Sequence, residues 1–222
     1  MYAITHTTTA LLIKRRWPSA GLWPLLISVQ AIELLWVLFV YTGIERPEYT
    51  ANAIHLNFLP YSHSVGSTML VALGVWAYAR YGMGNRALAT ALAVGVMSHV
   101  ILDIIHHEPN IMLLPAAVGP RLGLNLQGVP LLDFVVELLY CVACWWIFRG
   151  TIGLLVGIVV LSLMNLPLMF PRAGTGTLLA RHPAILPTVI LAQIVMAWVV
   201  VWYLARMPRA TGRGADSPPI VS

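Results

Sequence analysis

The chain has 222 residues, of which 59% are hydrophobic and only 9% charged, and its mean hydropathy is +0.81. A soluble domain carries about 25% charged residues, so the composition excludes one and points to an integral membrane protein. The net charge of +5 comes from Lys and Arg near the ends of apolar runs. It reads as membrane orientation, with none of the basic, aromatic-interleaved surface of a nucleic-acid binder.

Residues 2–13 are too short to cross a bilayer and contain His6 and four threonines. They suit a surface helix or a half-inserted one. Lys14, Arg15 and Arg16 mark an interface, and no cleavable signal sequence is evident. A first span is expected over 22–44, with Gln30 and Glu33 in its middle. A loop with Glu45, Arg46, Glu48 and His55 leads to a second span over 64–81, with His63 at its entrance. The turn 82–86 precedes a third span over 87–105, which carries His99 and Asp103. After a long Pro- and Gly-containing loop, a fourth span over 129–148 carries Asp133 and Glu137. A fifth span over 151–170 contains Asn165, and a sixth over 184–205 contains Gln193. The expected architecture is all-α: one transmembrane domain over 1–205, with about six membrane helices and a short N-terminal helix. A disordered tail is expected over 206–222.

Nine of the thirteen Lys and Arg residues fall on the side that holds the N-terminus, the 2–3 and 4–5 turns and the tail. The excess of positive charge puts both termini in the cytoplasm of a multi-pass inner-membrane protein. The loops 1–2, 3–4 and 5–6 then face outward.

His99, Asp103 and His107 recur at i, i+4 and i+8, which stacks them along one side of a helix. Ionisable groups in so apolar a segment are costly and mark a functional site. Rising ~1.5 Å per residue from the basic residue at each span end puts Glu33, His63 and Asp103 at ~25 Å, and His99 and Gln193 at ~20 Å. The same count gives ~18 Å for Glu137 and ~24 Å for Asp133 and Asn165. All six spans thus contribute to one polar layer in the outer half of the membrane. His6 lies at ~12 Å, short of this layer, and His107 at ~32 Å, near the outer mouth.

Imidazoles and carboxylates together suit Zn, Mn or Fe. A bound cation also compensates charge that is expensive in a dry interior. Glu33 or Glu137 can serve as a further ligand or as a general base. Any one of these histidines can instead be a neutral, hydrogen-bonded link between helices. It is the shared depth and the spacing that favour the metal. Asp133 and Glu137, also at i and i+4, can bind a second metal, pair with a cation or relay protons. His106 points off the His99 side and reads as interfacial, His55 is an ambiguous loop residue, and His182 reads as a loop residue. Cys141 and Cys144 read as small packing residues; a redox pair or half a zinc site is the alternative. Trp145, Trp146 and the methionines read as lipid-facing or packing residues.

Pro60-Tyr61-Ser62-His63-Ser64 and Ser98-His99-Val100-Ile101-Leu102-Asp103 resemble the motifs of the bacterial membrane-bound metal-dependent hydrolases, small polytopic inner-membrane proteins. Thr5-His6 ahead of Lys14-Arg15 matches that family's N-terminal histidine. Glu33 stands where its members usually have Asp. His107 and Pro109 match a His-Arg-Pro-Asp continuation, whereas Glu108 and Asn110 depart from it. Asn125, Gln127 and Gly128 depart from the family's Gly-Leu-Gly-Leu-Trp-Asn segment. The resemblance spans about residues 3–150. It implies His6, Glu33, His63, His99 and Asp103 as a metal set, and so adds His6 to the residues that depth favours.

The expected function is hydrolysis of an ester or phosphoester of a lipid or amphiphile. A divalent metal, Zn first and Mn or Fe next, would activate water. Glu33, Asp103 and Glu137 are the catalytic candidates, and His6, Glu33, His63, His99, Asp103 and His107 the metal candidates. The expected partners are the lipid bilayer and a lipid-like substrate, with no nucleic acid. Two other functions fit the polar layer: a transporter that uses it as a substrate or proton path, and a non-catalytic scaffold with a structural metal.

Overall fold

The N-terminal segment forms helix α1, Ala3–Arg16, and the rest of the bundle packs around it. The structure is a computed structural model and describes residues 1–50, 53–55, 61–115, 118–172 and 174–207. The tail beyond 207 and Pro60 of the histidine motif lie outside the described residues, as does the side chain of His55.

The expectation of a surface helix does not match the position of α1, which is buried within the bundle along nearly its whole length. Its polar residues explain how this is tolerated. Thr7 Oγ1 donates to the Ala3 carbonyl at 2.7 Å, and Thr8 and Thr9 both donate to the Thr5 carbonyl, at 3.0 and 3.1 Å. The hydroxyls thus turn back onto the helix's own backbone and leave little polar surface to solvate. Lys14 Nζ donates to the carbonyls of Pro18 and Ala20, which pins the tight return into the next helix.

Helices α2, Leu22–Val29, and α3, Ala31–Tyr41, replace the single first span and meet at a 53° bend. Gln30 sits at the break with φ −110° and ψ 4°. Its amide nitrogen donates to Ala3 O at 2.7 Å and to Thr7 Oγ1 at 3.2 Å, tying the bend to α1. Helix α4, Val65–Ala77, is capped by Ser64, whose Oγ accepts from Ser67 N at 3.0 Å. It passes into a π-helical turn over Tyr78–Gly82. Helix α5, Arg86–His106, returns beside it.

Helices α6, Pro130–Phe148, α7, Ile152–Leu163, and α10, Ile185–Ala205, complete the bundle, with short helices α8, Leu166–Met169, and α9, Thr175–Arg181, between the last two. Among the described residues, four stretches are long and apolar enough to cross a membrane: Arg86–His106, Pro130–Phe148, Ile152–Met169 and Ile185–Ala205. The bent α2–α3 pair makes five if it counts as one span. Leu70, Leu73, Leu139, Trp146, Ile152 and Val156 are all more than half exposed, as side chains facing lipid are. Two antiparallel strand pairs lie in the interhelical loops. Strands β1, Glu48–Thr50, and β2, Ala53–His55, pair between α3 and α4, while β3, Ile111–Leu114, and β4, Val118–Leu122, pair between α5 and α6.

The principal core joins Leu11 of α1 to Leu25 and Leu26 of α2, Leu92 of α5, Ile158 of α7 and Val201 of α10. Gly95 lets α2 and α5 meet: a Cβ there would lie 2.1 Å from Ser28 Oγ. Small residues commonly permit such close crossings between membrane helices. Here the crossing fixes the site that follows one turn further along α5.

Candidate metal centre

The break at Gln30 ends α2 and exposes the carbonyl of Val29 to α5. His99 lies one turn beyond Gly95, and its Nδ1 is 2.9 Å from that carbonyl. A carbonyl can only accept, so Nδ1 carries the proton and donates. With Nδ1 so engaged, Nε2 faces the carboxylates of Asp103, at 3.1 Å, and Glu33, at 3.5 Å.

His63 is oriented by a longer chain. Glu45, buried beyond the end of α3, accepts the Tyr61 and Ser62 backbone N–H groups at 2.8 and 2.9 Å. Its other oxygen accepts the Ser62 hydroxyl at 2.6 Å. With its proton committed to the carboxylate, Ser62 Oγ accepts from His63 Nδ1 at 2.8 Å. His63 Nε2 then faces Glu33 at 3.2 Å and Asp103 at 3.7 Å. The three residues of Ser62-His63-Ser64 act separately. The first orients the ring, the second presents Nε2, and the third caps α4.

His6 completes the group from α1. Its ring stacks on His99, with centroids 3.9 Å apart and planes within 10°, and its Nε2 lies 3.3 Å from Asp103 Oδ1. The Met1 ammonium lies 2.7 Å from the same oxygen. Two overlapping triads result, His6–His99–Asp103 and Glu33–His63–His99, the ligand atoms of each within 4.8 Å of one another.

The residues fit a metal ion on their own chemistry. Both nitrogens of His6, Nε2 of His99 and Oδ2 of Asp103 are buried and have no hydrogen-bond partner among the described residues. His6 Nε2, His99 Nε2 and Asp103 Oδ2 approach other polar atoms at ion-pair distances without hydrogen-bond geometry, as ligand atoms around one ion do. Buried polar atoms in native structures are normally satisfied. Locking the outer histidine nitrogen by a carbonyl, or through a hydroxyl to a carboxylate, is the usual support of a metal-bound imidazole.

The structure brings together His6, Glu33, His63, His99 and Asp103. His107 stands apart from both triads. It has left the helix, at φ −74° and ψ 152°, and its ring lies 6.4 Å from that of His63. Burial holds its pKa well below the ordinary imidazole range. Helical drift accounts for the separation, because eight residues at 100° each overshoot by about 80°.

The reading of His106 as interfacial is corrected. Seven residues from His99 return to within about 20° of the same side, and His106 is buried. Its Nδ1 lies 3.1 Å from Asp133 Oδ1 and 3.3 Å from Glu137 Oε1, a third triad. Glu137 Oε2 accepts a short hydrogen bond from the Thr5 hydroxyl. Asn165 is buried and donates to Leu161 O, while Gln193 borders the cavity below. His182 caps the exposed end of α9. Cys141 and Cys144 are free and buried, as packing residues are.

His6 reaches the polar layer, against its expected depth, because residues 17–21 form a turn rather than helix. Helix α2 begins at Leu22, so Glu33 lies ~16 Å from its start, level with His6 at ~15 Å from Arg16. Glu45 and Ser62 are not among the candidates that sequence suggests. Nothing in their spacing links them, and only the folded loop puts them in contact.

A cavity of about 440 Å³ opens on the centre. Its lining includes the polar side chains of His6, Glu33, His63, His106 and Asp133 and the apolar ones of Leu168, Met169, Leu186 and Ile190. That volume lies within the range of small-molecule sites. In comparisons with known proteins, no protein-family model, curated protein or solved structure matches the chain.

Proposed function

We propose that the chain is a membrane-embedded metal-dependent hydrolase that cleaves an ester or phosphoester of a lipid or amphiphile. The observation that carries this reading is the pair of locked histidines. His63 and His99 both have Nδ1 committed as a donor, so both present Nε2 to the same carboxylates. Nitrogens and carboxylate oxygens this close repel one another unless a proton, as in the hydrogen bond between His63 Nε2 and Glu33 at 3.2 Å, or a metal ion lies between them, and one metal ion serves both histidines at once. The mixed nitrogen and oxygen donors suit Zn first, then Mn or Fe.

A divalent cation bound there lowers the pKa of a coordinated water and polarises the acyl or phosphoryl oxygen. The remaining work belongs to the protein. Asp103, fully enclosed, holds His6, His63 and His99 in register. Glu33 borders the cavity and is the more exposed of the two carboxylates, so it is the group placed to take a proton from water and return it to the leaving oxygen. The apolar lining residues suit an acyl chain, and the polar ones a head group. The motifs around His63 and His99 support membership of the membrane-bound metal-dependent hydrolase family.

In the membrane, α4 with its π-helical turn makes a sixth crossing, beside the four apolar helices and the bent α2–α3 pair. Both termini then lie in the cytoplasm of an inner-membrane protein, and the cavity faces outward.

The test is metal analysis and lipid turnover with the purified protein in vesicles. Wild type should retain a transition metal and release product from a lipid ester or phosphoester, and His99→Ala should lose both. A protein without metal, or one whose turnover is unchanged by His99→Ala, overturns the reading. The break at Gln30 favours a second reading, because discontinuous helices line transporter sites. Solute uptake without lipid turnover in the same vesicles would establish it.

A further inference from the structure

The third triad is not used by the centre described above. His106 ends α5, while Asp133 and Glu137 lie one turn apart on α6, and all three are buried. Their ligand atoms lie within 4.8 Å of one another. We propose that His106, Asp133 and Glu137 hold a second divalent cation facing the same cavity, so that the protein carries a two-ion centre.

Charge is the first argument. Two carboxylates and one imidazole are enclosed between α5 and α6, whose other residues are largely apolar. No Lys or Arg lines the cavity among the described residues, and the Met1 ammonium is engaged by Asp103. Even a protonated His106 balances only one of the two carboxylates, whereas a divalent ion with neutral His106 balances both. Uncompensated charge at such a place is expensive.

The geometry of Glu137 is the second. Its Oε2 is held by the Thr5 hydroxyl and by the Tyr2 backbone N–H at 3.3 Å. These bonds turn Oε1 toward His106 and Asp133. That oxygen is buried and has no hydrogen-bond partner among the described residues, on a residue only 5% exposed. A carboxylate fixed through one oxygen, with the other bare and facing an imidazole and a second carboxylate, is a prepared metal ligand.

Position is the third. Asp103 and His106 are three residues apart on α5, a rise of ~4.5 Å. On α1, adjacent residues serve the two groups: Thr5 orients Glu137 and His6 stacks in the first centre. Hydrolytic enzymes place paired ions about 3.5–4 Å apart to hold both the attacking and the leaving oxygen. His106 and Asp133 line the same cavity as Glu33 and His63, so one substrate can reach both groups.

The test is metal stoichiometry of the full-length protein in detergent, with Co²⁺ titration followed by absorption. Wild type should bind two ions per chain. Asp133→Asn and Glu137→Gln, which keep side-chain volume, should each bind one, and the Co²⁺ spectrum of the remaining ion should match the first centre. His63→Ala should lose the other ion. Thermal melts of the variants establish that they are folded. One ion in wild type, removed by His63→Ala and untouched by Asp133→Asn, overturns the second site and leaves the hydrolase reading standing. No ion at all overturns both. Two ions retained in folded Asp133→Asn and Glu137→Gln overturn this assignment alone.

Discussion

Ser62→Ala isolates the support of His63 from the ligand itself. The substitution removes two hydrogen bonds, Ser62 to Glu45 at 2.6 Å and His63 to Ser62 at 2.8 Å. It leaves the Tyr61 and Ser62 backbone bonds to Glu45, so the loop that carries His63 stays tethered. What is lost is the fixed tautomer and ring angle of His63. Removing such a supporting partner costs about 10–100-fold in metal affinity, equivalent to about 1.4–2.8 kcal/mol. Glu45→Ala removes the backbone tethers as well and should lower both affinity and thermal stability. The assay is competition with a chelator of known Zn affinity, alongside melting of the metal-free protein. The reasoning predicts weaker Zn binding in both variants and a lowered apo melting temperature mainly in Glu45→Ala. Ser62→Ala with Zn affinity within twofold of wild type would refute it.

Gly95→Leu should destabilise the protein by at least the ~1–3 kcal/mol typical of overpacking, because even a Cβ would collide with Ser28. It should also weaken metal binding by moving Val29 away from His99, read by melting and by Zn titration. Chelation of the wild type should lower the melting temperature, since an ion present at 100 times its Kd contributes about 2.7 kcal/mol; unchanged melting would argue against a bound ion. His107→Ala should leave the ion count unchanged, because His107 lies outside every triad, while it alters turnover through the cavity it lines. A lost ion in that variant would restore His107 as a ligand.

The membrane character of the chain and most of its helices are legible in composition and hydropathy, because each apolar run long enough to cross a bilayer becomes a helix regardless of its neighbours. Helix α1 is not legible in the same way. Four threonines and a histidine in twelve residues give no apolar face, and the segment is buried because the hydroxyls of Thr7, Thr8 and Thr9 bond to its own backbone, that of Thr5 bonds to Glu137, and its ends are held by Gln30 and Lys14. The bend at Gln30 is equally hidden. Hydropathy is continuous through 22–41, and what stops the helix is a side chain drawn to the Ala3 carbonyl, a contact made 27 residues away.

Those two features decide which parts of the centre the sequence reveals. Glu33, His63, His99 and Asp103 are ionisable residues in apolar surroundings, and such placement is visible without a structure. The elements that make them ligands are backbone and loop groups: the Val29 carbonyl freed at the break, and Glu45 acting through Ser62. Neither has a periodic signature, because neither lies on a continuous helix with its partner. The break therefore does two things at once. It starts α3 just before Glu33, and it releases the acceptor that fixes His99. A continuous α2–α3 helix would satisfy Val29 internally, leave His99 Nδ1 without its acceptor and remove the reason for its Nε2 to face the carboxylates.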